Sequence, residues 1–334
     1  GASPRRSIDT GGVLLKAAVA TLLAAAFSAS ALVHAQGYPE RPLRFVIPFP
    51  PGGGADNLAR IVGVAASEKL GQQIVIDNRA GAGGNIAAEV VAKAAPDGYT
   101  LLQTNVAHAI STSLYRKLNY DLVQDFAPVT QLASIPFVLA VNPGTGFTSI
   151  KDLIARAKAK PGELAYASSG SGGPSHLAME LFKSMAGVEI RHIPYKGAVP
   201  GATDLMAGQV QMMFFTVSAA LPLMNSGRLK CLAIASTRRS LLAPDIPTVS
   251  EAGLPGFEAT TWFGVMAPRG IAPNSVGKLH AAFTAALKQP DVRDRVLKQG
   301  FDIAGSNPAE FAAYVKAEIP KWAKVVKASG ASVD

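Results

Sequence analysis

The sequence predicts an α/β protein, and two observations support this fold class. Short apolar runs typical of buried strands alternate with segments whose apolar residues recur at helical spacing, over most of the 334 residues. Three turns rich in glycine or serine each stand between such a strand and such a helix. This alternation predicts parallel sheets covered by helices.

The predicted elements follow one another without an internal repeat or a low-complexity linker. The predicted strands are residues 43–47, 74–77, 100–104, 127–132, 137–141, 163–167, 188–193, 210–214, 231–235 and 261–267. Helices fill the intervals, and three of them close the chain at residues 275–288, 290–299 and 308–326. A strand runs directly into a turn near Val141, and a return crossing is expected between residues 258 and 267. Chain length and these crossings predict about two domains.

The first turn, residues 48–57, lies between the predicted strand 43–47 and a helix. Its three consecutive glycines permit positive φ angles, and the helix N-terminus that follows carries partial positive charge. Backbone N–H groups in such a turn suit a carboxylate or a phosphate, although this stretch alone is equally well read as a plain strand–helix turn. The predicted ligand contacts in the first turn are Phe49, Pro51, Gly52, Gly53, Gly54, Ala55 and Asp56.

Two further turns repeat this arrangement. The second turn, residues 79–85, follows the predicted strand 74–77, and the third turn, residues 168–176, follows the predicted strand 163–167. Open α/β sheets bind ligands at the carboxyl ends of their strands, so the three turns are expected to meet at one site. The predicted contacts are Gly81, Ala82, Gly83, Gly84 and Asn85 in the second turn, and Ser168, Ser169, Gly170, Ser171 and His176 in the third.

Polar residues at another predicted strand end are further candidates. Thr104 and Asn105 end the strand 100–104, which is where pocket donors usually lie. His108 follows them and is a candidate to face the same cleft. His176 either donates to the ligand or only holds the third turn, and Asp56 is also a candidate helix cap.

The first 35 residues are predicted to be a secretory signal peptide outside the fold. Arg5, Arg6 and Lys16 give a basic start, an alanine-rich apolar segment follows, and Val33-His34-Ala35 resembles a small-x-Ala cleavage pattern. A transmembrane anchor is the alternative, but the apolar segment ends in small residues rather than a basic stop. The mature chain is therefore expected to begin after Ala35.

Charge and cysteine usage exclude several functions. The net charge of +9 is spread over single lysines and arginines without a basic run, which argues against nucleic acid as a partner. The one cysteine, Cys231, permits no internal disulfide, and an exported chain without disulfides favours a bacterial periplasm. The sequence has no Cys/His metal cluster, and no cofactor is expected.

An enzyme is the competing class, and its usual motifs fail. A dinucleotide fingerprint would need glycine where Ile86 stands after the second turn. A nucleophile elbow around Ser171 would need glycine where Ser169 stands. Paired carboxylates beside the glycine-rich turns are missing too, since Asp56 is a lone acid. None of these enzyme motifs is therefore complete in the sequence.

Motifs along nearly the whole mature chain resemble one family of proteins. They are Tyr38-Pro39-Glu40-Arg41-Pro42, the Pro-Phe-Pro-Pro-Gly-Gly start of the first turn, Gly81-Ala82-Gly83-Gly84-Asn85-Ile86, Ala95-Pro96-Asp97-Gly98-Tyr99, Pro194-Tyr195-Lys196-Gly197, Gly208-Gln209-Val210, and Ile246-Pro247-Thr248-Val249 with Pro255-Gly256-Phe257. Each motif is weak alone, but together they are specific. The chain resembles the substrate-binding proteins of tripartite tricarboxylate transporters, the TctC or Bug family of periplasmic receptors.

This resemblance implies a fold and a function. The fold is a bilobed periplasmic binding protein, type II-like, with two doubly wound α/β lobes and hinge crossovers. The lobes are expected at residues 36–140 plus 260–334 and at residues 141–259. A small organic carboxylate would be held by backbone groups and ordered waters, and the protein, a monomer, would deliver it to membrane permease subunits of the transporter. A ligand-sensing co-receptor for a two-component system is the alternative that the sequence leaves open.

The sequence departs from the family pattern at the end of one predicted strand. Many members carry Asp-Asn where Phe215 and Thr216 stand here. One hypothesis is that this pocket lacks a counter-charge for an ammonium group and offers an aromatic wall in its place, which favours plain or aromatic carboxylic acids over amino acids. The alternative is that Phe215 packs in the core. Both residues are included among the candidate contacts.

Overall fold

Strands and helices alternate along the chain, as the sequence predicts. The computed structural model describes residues 37–333, so the predicted signal peptide and its cleavage point lie outside the described residues. The strands are β1 (Leu43–Ile47), β2 (Ile74–Asn78), β3 (Thr100–Asn105), β4 (Phe126–Val141), β5 (Ala165–Ser168), β6 (Arg191–Pro194), β7 (Met212–Thr216), β8 (Lys230–Ile234), β9 (Thr260–Pro268) and β10 (Asp302–Ile303).

Helices connect most of these strands. They are α1 (Gly54–Leu70), α2 (Asn85–Ala92), α3 (Val106–Leu114), α4 (Ile150–Ala159), α5 (Pro174–Ala186), α6 (Ala198–Met206), α7 (Val217–Asn225), α8 (Pro273–Lys288), α9 (Pro290–Lys298) and α10 (Pro308–Ser329), with short 3₁₀ turns at Ala82–Gly84 and Pro143–Thr145. Within residues 37–333, no helix combines the length and apolar character needed to cross a bilayer.

The sheet has two halves that share strand β4. The first half has the order β2-β1-β3-β9-β4, and the second continues as β4-β7-β5-β6, while β10 and β8 also pair with β4. Residues 126–136 of β4 pair with β9, whereas residues 137–141 pair with β7 and β8. The chain therefore passes from one half to the other within a single strand.

The expectation of purely parallel sheets is wrong. Each half has three parallel outer strands, β2-β1-β3 and β7-β5-β6, but β4, β8, β9 and β10 pair antiparallel. The predicted strands 127–132 and 137–141 are also one strand rather than two. Pro136, which cannot donate to a strand ladder, is accommodated because it lies where β4 exchanges its pairing with β9 for pairing with β7 and β8.

Helix α10 is fixed to the central strands by a buried carboxylate. Glu318 accepts hydrogen bonds from the indole N–H groups of Trp262 in β9, at 2.9 Å, and of Trp322, at 2.8 Å. Lys321 Nζ donates to the other carboxylate oxygen at 2.7 Å. Because a buried charge is tolerated only when it is paired and hydrogen-bonded, these three donors explain how Glu318 remains in the core.

Candidate functional site

The first turn borders a cavity of about 790 Å³ that both halves of the sheet help to form. Volumes of this size suit a small organic ligand. The lining residues are Phe49, Pro50, Pro51, Gly53, Gly54, Ala55, Asn57, Ile135, Thr216, Ser218, Thr261, Phe263, Gln299 and Phe301. We call this space the central cavity. Six predicted contacts line it, namely Phe49, Pro51, Gly53, Gly54, Ala55 and Thr216.

The N-terminal residues of helix α1 line the central cavity at the first turn. Gly53 is the N-cap of α1, and no side chain caps this helix. The first N–H groups of a helix have no intrahelical partner, so those of Gly54 and Ala55 remain available to a ligand. The partial positive charge at this helix end adds to their attraction for an anion.

Asp56 stabilises the first turn through hydrogen bonds to its carboxylate. Its carboxylate is buried and accepts hydrogen bonds from Gly52 N, at 2.9 Å, Arg60 Nε, at 2.9 Å, and Asn78 Nδ2, at 3.0 Å. Burial acts to raise the pKa of Asp56, but the hydrogen bonds from Arg60, Gly52 and Asn78 outweigh it and lower the pKa. Asp56 lies inside α1 rather than at its N-cap, so it stabilises the turn and has no free oxygen for a ligand.

A second uncapped helix reaches the central cavity from the other half of the sheet. Thr216 is the N-cap of α7, and its side chain makes no capping hydrogen bond. Thr216 and Ser218 both line the cavity. Helix N-termini from the two halves, α1 and α7, therefore converge on one space, which gives an anion two sources of backbone N–H donors.

The second turn packs behind the first instead of lining the cavity. Gly84 has φ +102°, and a methyl group at this position would lie 3.0 Å from Pro48 Cβ in the first turn and 3.2 Å from His108 Nε2. Gly83 lies next to Tyr115 in the same way, where a methyl group would be 3.3 Å from the phenol oxygen. The first two turns are therefore adjacent, but no residue of the second turn lines the cavity.

His108 is a positioning residue rather than a cavity residue. It is fully buried, and its Nδ1 accepts from Asn105 N at 3.2 Å while its Nε2 lies 3.2 Å from Gly84 O. A backbone N–H can only donate and a carbonyl can only accept, so these partners fix the neutral tautomer with the proton on Nε2. Burial lowers the pKa of His108 to about 4, which keeps the ring neutral.

Three buried polar atoms near the first two turns have no hydrogen-bond partner within the described residues. They are Asn85 Nδ2, Gln103 Oε1 and Asn105 Nδ2. The other ends of these side chains are held: Tyr120 donates to Asn85, Ala107 N donates to Asn105, and Gln103 Nε2 donates to Ala55 O at 2.9 Å. Buried polar groups are nearly always satisfied, so these three atoms are exceptions within this structure. Gln103 was not among the predicted contacts, although its polar side chain in the apolar strand β3 was an available signal.

The third turn is closed by its own side chains. Ser169 N donates to Ser175 Oγ at 3.1 Å, Gly170 N to Ser168 Oγ at 3.2 Å, and Gly172 N to His176 Nδ1 at 3.0 Å. Most of its backbone donors are therefore occupied. None of Ser168, Ser169, Gly170, Ser171 and His176 is among the residues that line the central cavity, so their contact with a ligand stays a prediction.

A stack of rings supports the third turn. The ring of His192 stacks on those of His176, at 4.0 Å between centroids, and Tyr166, at 4.8 Å, and the rings of His176 and Tyr166 are themselves 6.3 Å apart. Ser168 Oγ is 2.6 Å from His192 Nε2. Burial, and then the neighbouring His176, lower the pKa of His192 to about 4. His192 was not among the predicted contacts because it lies in β6, outside the third turn in the sequence.

Phe215 does not line the central cavity. It is 4% exposed, pairs with Val138 across the sheet and belongs to the hydrophobic cluster of the second half. The alternative of core packing is thus the one that the structure bears out. The apolar wall consists of Phe49 and of residues that sequence reasoning missed: Ile135, Phe263 and Phe301.

The central cavity carries no charged side chain among its lining residues. Its polar side chains are neutral, those of Asn57, Thr216, Ser218, Thr261 and Gln299. Among residues 37–333 there is also no group of three or more histidine, cysteine or acidic side chains that could hold a metal ion. The arrangement can bind an anion through neutral donors, and it lacks a nucleophile–base pair.

Comparison with known proteins identifies the family. Residues 58–331 match the family model of the tripartite tricarboxylate transporter family receptor, TctC. Protein BugT from Bordetella pertussis is 39% identical over 318 residues, which cover 95% of this chain and 98% of BugT.

Solved structures agree with this result. The Rhodopseudomonas palustris protein Rpa4515, solved with adipate, has 39% identity and a TM-score of 0.75 over 89% of this chain and 99% of its own. MatC from the same organism, solved with bound malate, has 35% identity and a TM-score of 0.72 over 86% of this chain and all of its own.

These similarities confirm the predicted two-lobed α/β fold and the prediction of a binding protein rather than an enzyme. They also confirm the family resemblance drawn from the motifs. The chain belongs to the TctC family of tripartite tricarboxylate transporter receptors, which are periplasmic solute-binding proteins.

Proposed function

We propose that this receptor holds its carboxylate ligand in the central cavity, with a carboxylate group at the N-terminus of α1. The observation that carries this proposal is the convergence of two uncapped helix N-termini, α1 and α7, on a cavity without charged side chains. The relatives solved with adipate and malate support a carboxylate as the ligand class.

Neutral donors can provide sufficient affinity. A hydrogen bond to a charged group contributes about 1.5–3 kcal/mol, so two or three of them with apolar burial reach roughly micromolar dissociation constants. Recognition by N–H groups also avoids burying a lysine or arginine, whose desolvation costs several kcal/mol. Asn85, Gln103 and Asn105 would hold ordered waters that extend the donor network from the second turn.

Contributions from both halves of the sheet support closure around the ligand. The first half supplies Gly54 and Phe263, whereas the second supplies Thr216 and Ser218. A ligand that contacts both halves binds the closed state more tightly than an open one, and this difference shifts the conformational equilibrium. On this proposal the lobes are residues 36–140 plus 260–334 and residues 141–259, and the second and third turns approach the ligand on closure.

The remaining parts of the proposal concern processing and partners. The chain is cleaved after Ala35, acts in the periplasm as a monomer, and passes its ligand to the membrane permease subunits of a tripartite tricarboxylate transporter. The family match supports this assignment.

A cavity-filling variant tests the binding site. A methyl group at Gly54 would lie 3.7 Å from Ile135 Cδ1 and 3.7 Å from Phe301 Cζ, which is ordinary contact, and Gly54 begins α1. Gly54→Leu is therefore expected to fold, because leucine is a better helix former, and to weaken adipate or malate binding at least 100-fold by filling the cavity.

The matched control is Gly277→Leu, since Gly277 lies in α8 and a Cβ added there would have no neighbouring atom within 4 Å. Protein purified from the periplasm is titrated with each acid by calorimetry. Unchanged affinity in Gly54→Leu would place the ligand elsewhere and reject the proposed site.

A further inference from the structure

The lining of the central cavity constrains the body of the ligand as well as its carboxylate. Phe263, Phe301 and Ile135 are 4%, 1% and 6% exposed and form an apolar wall beside the N-terminus of α1. Thr216 and Ser218, at the N-terminus of α7, also line the cavity. A bound molecule would therefore meet hydrogen-bond donors at its anionic end and carbon along its length.

We infer that this receptor selects carboxylates with an apolar body and discriminates against those that carry an ammonium group. The inference rests on the proposed function, because it assumes that the central cavity is the ligand site. It assigns a substrate class within the carboxylates, which family membership alone leaves open.

An ammonium group would find no anionic partner in the cavity. Asp56 is the acid nearest to the lining along the first turn, and its oxygens already accept from Gly52, Arg60 and Asn78. A cation removed from water without a counter-charge is strongly disfavoured. Binding an amino acid would therefore carry the unfavourable free energy of desolvating its ammonium group, whereas binding the corresponding plain acid would not.

The aromatic rings do not replace the missing carboxylate. A cation is attracted to the face of an aromatic ring within about 6 Å of its centroid. Phe263 and Phe301 instead pack against each other edge to face, with centroids 5.7 Å apart and an interplanar angle of 68°. They form a wall of apolar carbon on one part of the lining, and the lining residues provide no carboxylate to accompany it.

Matched ligand pairs test this inference. Glutarate is compared with glutamate, and adipate with 2-aminoadipate, because the members of each pair differ by one ammonium group. Glycine betaine is compared with 3,3-dimethylbutyrate, which has the same shape with carbon in place of the charged nitrogen, so this pair tests recognition by the rings. Calorimetry on the periplasmic protein is expected to show at least tenfold tighter binding of the plain acid in every pair that binds.

The outcomes separate two kinds of failure. If an ammonium-bearing acid binds as tightly as its plain partner, or more tightly, the present inference is wrong while the proposed function stands. If none of these acids binds, both the proposed function and the inference fail.

A charge introduced at the cavity should reverse the preference. Thr216 is an uncapped N-cap, and aspartate is a favoured N-cap residue, so Thr216→Asp is expected to fold. It should weaken glutarate binding at least tenfold and narrow or invert the preference over glutamate. Ser218→Asp, in the first turn of α7, provides a second variant with the same expectation.

The control is Ala272→Asp, which places the same charge at the uncapped N-terminus of α8, at an exposed residue outside the cavity lining. It should leave both affinities unchanged. If Thr216→Asp and Ser218→Asp both fold and keep the original ratio of the two affinities, the cavity does not determine selectivity and the inference is overturned.

Discussion

The first and third turns have similar sequences but opposite hydrogen bonding. In the first turn, helix α1 begins without a side-chain cap and its N-terminal residues line the central cavity. In the third turn, Ser168, Ser175 and His176 accept the backbone N–H groups of their neighbours. A glycine-rich strand–helix turn therefore leaves N–H donors available to a ligand only where no nearby side chain accepts from them.

The largest expected effect is on the buried histidine behind the second turn. His108→Ala leaves Asn105 N and Gly84 O without their partners and opens a cavity, so we expect a loss of about 3–5 kcal/mol in the free energy of unfolding. Urea denaturation measures this value. His280→Ala is the control, because His280 is half-buried on α8, and it should cost less than about 1 kcal/mol. A similar cost for both variants would contradict the positioning role of His108.

Low pH should decrease the free energy of unfolding because of the same residue, His108. The pKa of His108 is about 4 in the folded protein and near 6.5 in the unfolded chain. Between these values the unfolded state binds more protons, so stability falls as pH decreases from about 6.5 to about 4, and the His108 contribution is fully present only above that range. The loss is on the order of 3 kcal/mol.

Denaturation midpoints measured across this range test the expectation. His108→Gln, which cannot titrate, should show a shallower pH dependence than the wild-type protein. Parallel curves for the two proteins would exclude His108 as the source.

Two glycine substitutions should distinguish the cost of backbone strain from the cost of steric overlap in the third turn. Gly172 has φ +73°, and a methyl group there would lie 2.9 Å from Leu114 Cδ2. Gly172→Ala is expected to lose about 2 kcal/mol, from backbone strain and overlap together. Gly187→Ala, at φ +64° with open space around it, should lose only about 1 kcal/mol. Equal losses, measured by urea denaturation, would mean that the third turn is not packed against α3.

The smallest expected effect is in the first turn. Gly53 has φ −77°, and a methyl group there would meet only Pro50 O, at 3.8 Å. Gly53→Ala should therefore change the free energy of unfolding by less than about 0.5 kcal/mol, as measured by urea denaturation. Gly52→Ala, at φ +86°, is the comparison and should cost about 1 kcal/mol. A loss above 2 kcal/mol for Gly53→Ala would show that the first turn is as tightly packed as the third.

Local patterns in the sequence predicted most of the fold. Strand β1 has the bounds expected from its apolar run, and α8, α9 and α10 end within three residues of their predicted ends. The continuity of β4 through Pro136 was missed because a proline signals a break locally, while strand pairing is decided by partners far along the chain. The same reason explains the antiparallel pairing of β9.

The site was predicted less completely than the fold. Glycines before α1 identified the first turn, because helix N-termini have a local signature. Ile135, Phe263 and Phe301 are brought together only by tertiary packing, and nothing in their own neighbourhoods distinguishes them from core residues. The hydrogen bonds of the third turn involve His192 from β6 as well as residues of the turn. No short segment of the sequence therefore reveals them.

Strand β4 has a consequence for how the protein unfolds. Its 16 residues contribute backbone hydrogen bonds to both halves of the sheet, so melting one half removes an edge from the other. The two halves are thereby coupled in stability, and we expect neither half to be stable as an isolated fragment. A receptor built in this way is expected to unfold in a single cooperative transition.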